Sequence, residues 1–498
     1  MFPQPQPDEY FDGANEHLLR QVPAKAMRIV EVGCARGRLG MELKRAEPAR
    51  YVVGIEYDPE AAKVAATRLD EVHVADVQQG LPDLAAGTFD CVVLGDVLEH
   101  LYDPEAVLRA VRELLKPDGV LVVCVPNVAH YSVVKALLRS DLMYQPNGLL
   151  DATHIRFFTH ATFIKMMLDA GFLPELKHII ASGGTDHMIP AATPVLEYFG
   201  VDPQRALTFL DAYQFVFSAT RLPDVTARFS AKPFTFVVCV NDEDQLGSNF
   251  LRSPCLQPGS PHQVVLRRGE ASAAGGLDAG LAEADHDVVI LVQQDVYLPR
   301  GWDSRFAEQW AAAEQTFGPV GVAGAFGIRG AEHVGRVLDR ESLLDKPATL
   351  PAAVDAIDEI LLAVPRGTSL RMDPALGFHL YGLDLCLSAH AAGLETVVLN
   401  VPLFHNSLFA HLSDAFHDAR DTLLAKWSDE PVLVSNMGDL RTMHRVDPPT
   451  TWMAQQRAQL AGQQQEIASL QAQLRQAREH IGRMEGSAFW KVRTLLRR

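Results

Sequence analysis

Short apolar runs that stop on a carboxylate recur along this chain, and they constrain its fold more than any other feature. "YVVGIEYDP" stops on Glu56, "VHVADV" on Asp76, "FDCVVLGDVLEHL" on Asp96 and, far downstream, "VVILVQQDVYLPRGW" on Asp295. Runs of this kind fit strands buried on both faces, which read as continuously apolar rather than alternating. Between them lie helical stretches such as "PEAAKVAATRLDE" and "PEAVLRAVRELLK". That alternation predicts an α/β architecture, a parallel sheet with helices on both faces. Ligands in such sheets bind outside the carboxyl ends of the strands, so each terminal acid marks a candidate site.

The chain has 498 residues, more than one hydrophobic core usually holds. The first alternation ends with "QFVFSATRL", giving a first domain over residues 1–222. "PDVTARFSAKP" at 223–233 reads as a linker, and a second alternation fills 234–445. Over 452–485, Met453, Leu460, Ile467, Leu474 and Ile481 recur every seventh residue, a short coiled-coil helix through which the chain is expected to self-associate. The tail, 486–498, sets Phe489 and Trp490 among Lys491, Arg493, Arg497 and Arg498. A basic amphipathic segment of this kind suits peripheral contact with an anionic membrane surface. The net charge of −17 argues against a nucleic-acid partner, because phosphate binding needs a basic footprint. Cys91, Cys124 and Cys239 sit inside apolar runs as small buried hydrophobes. Without a signal region or an apolar run of about 20 residues, a cytoplasmic protein is expected, peripheral at the inner face of the membrane through its tail.

In the first domain, "RIVEVGCARGRLG" places a strand, a turn over Gly33, Cys34, Ala35, Arg36 and Gly37, and then a helix. Glycines let the backbone turn and approach a ligand, and the helix start offers free N–H groups. Glu56, about twenty residues on, can accept both hydroxyls of a ribose. Gly33, Glu56, Asp76 and Asp96 should therefore converge at one end of the sheet. These four motifs resemble those of the class I S-adenosylmethionine-dependent methyltransferases, over about residues 25–220. The likeness is closest to small-molecule O-methyltransferases of the ubiquinone-biosynthesis type. The resemblance implies a Rossmann-like domain that binds S-adenosylmethionine. Glu31, Gly33, Cys34 and Gly37 would shape its methionine end, Glu56 would hold the ribose, Asp76 with Val77 the adenine, and Asp96 would join the cofactor site. A middle glycine of the usual loop is Ala35 here. His100 in "LEHL" and His154 in "DATHIRFFT" are the candidate bases for an acceptor hydroxyl.

The second domain opens with "FTFVVCVND", whose Asn241 and Asp242 are candidate contacts to a nucleotide donor. Asp295 ends a later strand, and "FHLYGLDLCLSAHAAGLETVVLNVPLFHNS" carries Asp384 on a helix and leads a strand to His405. Carboxylate and imidazole ligands suit Mn²⁺ or Mg²⁺, with a nucleotide diphosphate completing the shell. This pattern resembles the GT-A-type, family-2-like glycosyltransferases over roughly 234–410. That resemblance implies Asp295 and His405 as metal ligands and Asp384 as the base for the acceptor hydroxyl. Gln293 stands where the family has its first acid. Acid-rich runs such as "VDAIDEI" read as solvated helix faces.

The expected whole is two doubly wound α/β domains, one Rossmann-like and one GT-A-like, followed by the coiled-coil helix. The expected function is that of a bifunctional enzyme of surface polysaccharide biosynthesis. It would transfer a sugar from a nucleotide-sugar donor and methylate a hydroxyl on a glycan or lipid-linked glycan acceptor. Alternatives are an O-methyltransferase with a sugar-binding second domain, a pair acting on a glycosylated metabolite or protein, and a scaffold organised by the heptads.

Overall fold

The computed structural model describes residues 14–183, 203–224, 232–340, 342–346, 348–407, 414–430 and 433–443, with isolated positions 193 and 196. The expected heptad helix and basic tail lie outside the described residues. The described residues as far as Arg441 form one compact unit.

In the N-terminal region the apolar runs become β1 (Arg28–Val32), β2 (Tyr51–Glu56), β3 (Glu71–Val74), β4 (Phe89–Gly95) and β5 (Leu115–Pro126). These five strands pair in parallel in the order β3-β2-β1-β4-β5. The residues of β1, β2 and β4 are almost all buried, as continuous apolar runs require when helices cover both faces. The covering helices include α1 (Glu16–Leu19), α2 (Arg38–Ala46), α3 (Pro59–Ala65), α4 (Pro104–Leu114), α5 (Tyr131–Leu138) and α6 (His160–Asp169). Proline at the first turn and an aspartate cap start two of them. Asp58 accepts from Glu60 N and Ala61 N ahead of α3, and Asp103 from Ala106 N ahead of α4.

The sheet is not wholly parallel. β6 (Phe172–Ala181) and β7 (Ala212–Arg221) complete it in the order β5-β7-β6, and β7 runs antiparallel to both neighbours. Chain direction leaves no trace in apolar content, so the expected all-parallel sheet is corrected here.

The C-terminal region also departs from a parallel doubly wound sheet. Its seven-stranded sheet contains β8 (Thr235–Val240), β9 (Gln263–Arg268), β10 (Val288–Val292), β12 (Val320–Gly324), β16 (Ala352–Ala353), β18 (Leu361–Pro365) and β19 (Glu395–Val398). Their order is β16-β19-β12-β18-β10-β8-β9, and β18 is antiparallel to both β10 and β12. A second sheet runs β11 (Val296–Tyr297), β20 (Phe404–His405), β14 (Glu332–Asp339), β13 (Phe326–Arg329) and β17 (Ala356–Ile357), with β15 (Ser342–Lys346) on β14. "VDAIDEI" is therefore not a solvated helix face. Ala356 and Ile357 pair with β13, and Asp358 and Glu359 follow in the half-buried turn that leads into β18.

The two regions share a core. Tyr297, Leu338 and Phe404 pack into the same apolar cluster as Leu108, Phe163 and Phe217. Around that contact Asp169 of α6 accepts from the Tyr297 hydroxyl at 2.5 Å and from Arg300 N at 2.8 Å. Lys165, one turn earlier, donates to Ser248 O at 2.6 Å and to Asn249 Oδ1 at 2.8 Å, and lies 5.2 Å from the centre of the Tyr297 ring. Arg300 also reaches Glu105 of α4 at 3.1 Å. The Tyr-Leu-Pro-Arg stretch after Asp295 thus serves as a clasp on the N-terminal helices. No helix among the described residues is long and apolar enough to cross a membrane.

Tyr297→Phe removes one hydroxyl and leaves the half-buried Asp169 carboxyl short of a donor. The expected loss is about 1–3 kcal/mol, read as a lower urea midpoint at unchanged slope.

Candidate functional site

Parallel register places the ends of β1, β2 and β4 side by side, with Val32 level with Ile55 and with Leu94. A cavity of about 1050 Å³ opens there. Glu31, Gly33, Cys34, Glu56, Asp76, Val77 and Asp96 all line it, as do His100 and His154. Of the predicted cofactor residues only Gly37 stands outside the wall. Its φ of +71° starts α2, and a Cβ there would lie 3.1 Å from Ala65 Cα, so its service is to the turn and to helix packing.

The loop after β1 is drawn onto β2. Gly33 N and Cys34 N donate to Ile55 O, and Ala35 N donates to Glu56 Oε2 at 2.7 Å. The other Glu56 oxygen accepts from Asp58 N at 2.8 Å. Each oxygen keeps a lone pair for a ligand hydroxyl. Gly33 has φ +69°, and a Cβ there would fall 2.5 Å from Val97 Cγ2, so the backbone passes where a side chain has no room. Ala35 takes a left-handed φ of +48°, showing that alanine can fill this place in the loop.

Behind the loop Glu31 accepts from Gly40 N at 3.0 Å; burial pushes its pKa up to about 8, against the effect of that bond and reinforced by Glu56. Asp96 has φ +55°, and its carboxyl accepts from Gln214 Nε2 at 2.5 Å. Burial raises its pKa to about 6.

At the opposite wall the two candidate bases sit as a pair, with ring centroids 4.8 Å apart in an edge-on arrangement. His154 Nδ1 lies 3.1 Å from Leu149 O, so it carries the proton and Nε2 is left bare. The Thr153 hydroxyl donates to Asp151 Oδ1 at 2.7 Å, so at 3.0 Å it can only accept from His100 Nδ1. His100 Nε2 is therefore bare too. Burial lowers the pKa of both rings, and for His100 the neighbouring His154 adds to it. Both are neutral near pH 7. Between them stands Glu99, which sequence reasoning passed over. It is 1% exposed, and its Oε1 lies 4.0 Å from His154 Nε2. The available signal was its place beside His100, flanked by Leu98 and Leu101, which bury the turn.

In the C-terminal region the structure brings Asp295 and His405 together, with Oδ1 and Nε2 3.5 Å apart. Both imidazole nitrogens face acceptors, Nδ1 at 2.9 Å from Asp339 and Nε2 at 3.0 Å from Gln293 Oε1. Burial alone would lower the pKa of His405, but Asp295 and Asp339 hold it up to about 10. Burial would likewise raise Asp295, and the imidazolium holds it below the usual range. His405 must give up a proton before it could ligate a metal. Asn241 N and Asp242 N both donate to Gln294 Oε1, and the Asp242 carboxylate caps the helix Glu243–Ser248.

Asp384 requires correction as a candidate base. It is fully buried, and its oxygens accept from Lys426 Nζ at 2.8 Å and Trp427 Nε1 at 2.7 Å. It fastens the helix Asp414–Lys426 to this region and presents no free oxygen to a cleft. Glu359, missed in the sequence, accepts from Gly382 N at 3.1 Å, and burial raises its pKa to about 8.

The His405 ion pairs stabilise the fold fully below about pH 6.5 and lose that effect as pH rises toward 10. Urea unfolding should therefore show the advantage of wild type over His405→Gln shrinking between those two values.

A methyltransferase-domain family pattern matches residues 8–175. The ubiquinone biosynthesis O-methyltransferase of Psychrobacter arcticus is 33% identical over 155 residues, covering 29% of this chain and 58% of that protein. The enzyme of the same description from Xanthomonas campestris pv. campestris is 37% identical over 111 residues, covering 21% and 46%. The chain thus spans about half the length of these curated relatives. A solved S-adenosylmethionine-dependent methyltransferase from Archaeoglobus fulgidus is 17% identical, with 42% of this chain and 89% of that one covered and a TM-score of 0.28. With its glycine loop, parallel strands and converging acids, the N-terminal region of this chain is a class I S-adenosylmethionine-dependent methyltransferase domain.

Proposed function

We propose that this chain is an O-methyltransferase acting on a hydroxyl of a glycan or glycosylated acceptor. The observation that carries this reading is the opposition of two walls in one cavity. Carboxylates and backbone turns line one wall, and two neutral imidazoles with bare Nε2 atoms line the other. The cavity suits S-adenosylmethionine in size and in donor set, with Glu56 for ribose hydroxyls and Asp76 with Val77 at the adenine end. When bound, that cofactor supplies an electrophilic methyl group with a neutral thioether as its leaving group. The residues of the chain then have to align the acceptor and exclude water. The Nε2 lone pairs of His100 and His154 face the place where a hydroxyl must lose its proton.

For the C-terminal region we propose sugar handling. The juxtaposition of Asp295 and His405 supports the fuller form of this reading, a bifunctional methyltransferase and glycosyltransferase of surface polysaccharide biosynthesis using a nucleotide-sugar donor and Mn²⁺ or Mg²⁺. Burial of Asp384 and the closed ion pairs of His405 favour a second reading, in which this region binds sugar without transferring it.

Glu56→Gln should weaken S-adenosylmethionine binding about tenfold or more in calorimetry. His154→Gln should leave that binding in place and lower turnover about 10²–10⁴-fold. In wild type, turnover should fall with acid only below the ordinary histidine range, because burial lowers both ring pKa values. Unchanged turnover in His154→Gln would remove that residue from the reading. For the C-terminal region, Mn²⁺-dependent hydrolysis of a nucleotide sugar that disappears in Asp295→Ala would establish the bifunctional form. Sugar-nucleotide binding without hydrolysis would establish the binding module.

A further inference from the structure

Glu99 poses a question that methyl transfer by two histidines does not answer. It sits in the turn Leu98–His100, immediately after the left-handed Asp96, and is 1% exposed. Its Oε2 has no hydrogen-bond partner. Asp96 and Asp151 lie near enough to repel its charge. A carboxyl buried among like charges with an unsatisfied oxygen is costly unless a proton or a cation sits with it.

The neighbours decide between the two. Glu99, His100 and His154 each offer one ligand atom, and these atoms all lie within 4.8 Å of one another. Both histidines are locked by outer partners, His154 by Leu149 O and His100 by Thr153, with Thr153 itself held by Asp151. In each the proton is on Nδ1, and the unprotonated Nε2 is left for another use. Outer hydrogen bonds of this kind orient metal-binding histidines and fix their tautomer. Bound ligands around a zinc-sized ion lie about 2.0–2.2 Å from it, so the most widely spaced of these atoms must close by roughly an ångström to share one. Two imidazoles and one carboxylate form a borderline set that suits Zn²⁺, Mn²⁺ or Fe²⁺ and leaves positions open.

We propose that Glu99, His100 and His154 hold a divalent transition-metal cation in the wall of the methyl-transfer cavity. The inference rests on the cavity reading above and specifies it: in the loaded chain the two Nε2 lone pairs act on the acceptor hydroxyl through the ion. The cation would neutralise the acids of this wall and polarise an acceptor oxygen, whose proton then leaves to solvent.

The test uses the full chain, stripped with chelator and dialysed, with Zn²⁺ and Mn²⁺ as separate probes. Calorimetry for Zn²⁺ and the spin resonance of free Mn²⁺ report binding without any reaction. S-adenosylmethionine binding is titrated on the same preparations. One ion per chain is expected, with affinity lower by about tenfold or more in Glu99→Gln and in His154→Gln. Both variants should keep the wild-type circular dichroism. If Glu99→Gln does not fold, His154→Gln decides alone. Equal affinity in wild type and variant overturns the proposal. So does failure of the wild-type chain to bind either ion. A chain that binds the ion at these residues but not S-adenosylmethionine would leave the metal site standing and overturn the proposed function instead.

Discussion

Two backbone N–H groups, those of Ala35 and Asp58, converge on the carboxylate of Glu56 at 2.7 and 2.8 Å. The rest of the N-terminal site depends on that convergence. It ties the loop after β1 to the loop after β2 and aims both at one cavity. The tie requires the two strands to run parallel and in register, with Glu31 level with Gly54, because a slip would carry the carboxylate away from the loop. Gly54 itself leaves room for Cys34, whose Sγ would lie 2.6 Å from a Cβ at that position. The turn at Gly33, the seat of Cys34 and the reach of Glu56 are therefore one piece of packing.

The opposite wall is built by different elements. His100 follows β4, whereas His154 comes from the segment before α6, and the two segments are tied by Ile155 N and Arg156 N donating to Glu99 O and by the contact of Thr153 with His100. α6 is in turn gripped through Lys165 and Asp169 by the C-terminal region. Arg300 reaches the start of α4, just beyond the His100 turn. The segments that carry the imidazoles are thus braced by residues from 83 to 195 positions downstream. Asp295 and Tyr297, two residues apart on one strand end, link the C-terminal cluster to that brace. Burial lowers the pKa of Lys165 to about 8, so the clasp holds its ammonium in a poorly solvated place, offset by Ser248 O and Asn249.

Much of this was legible in the sequence. Continuous apolar runs located the strands, because burial on both faces selects for them, and the acids after the runs located the cavity. What escaped was decided by pairing partners distant along the chain. The antiparallel direction of β7 and of β18 has no signature in composition. "VDAIDEI" shows acids that look solvated on a helix face until β13 pairs with Ala356 and Ile357 and half-buries Asp358 and Glu359. Asp384 has the spacing of a helix-borne base, yet Lys426 at the end of a later helix and Trp427 just after it occupy its oxygens.

By itself the sequence determined the local chemistry: which runs are strands, where helices start, and which residues stand at strand ends. Those properties depend on neighbours a few positions away, through burial, capping and turn geometry. Only the tertiary structure decided what each polar side chain does. It left Glu99 Oε2 without a hydrogen-bond partner beside two bare imidazole nitrogens, closed His405 between acids, and made Tyr297 a clasp. The physical reason is that an ionisable group's state is set by whatever lies within a few ångströms of it, and in this fold those neighbours come from distant parts of the chain.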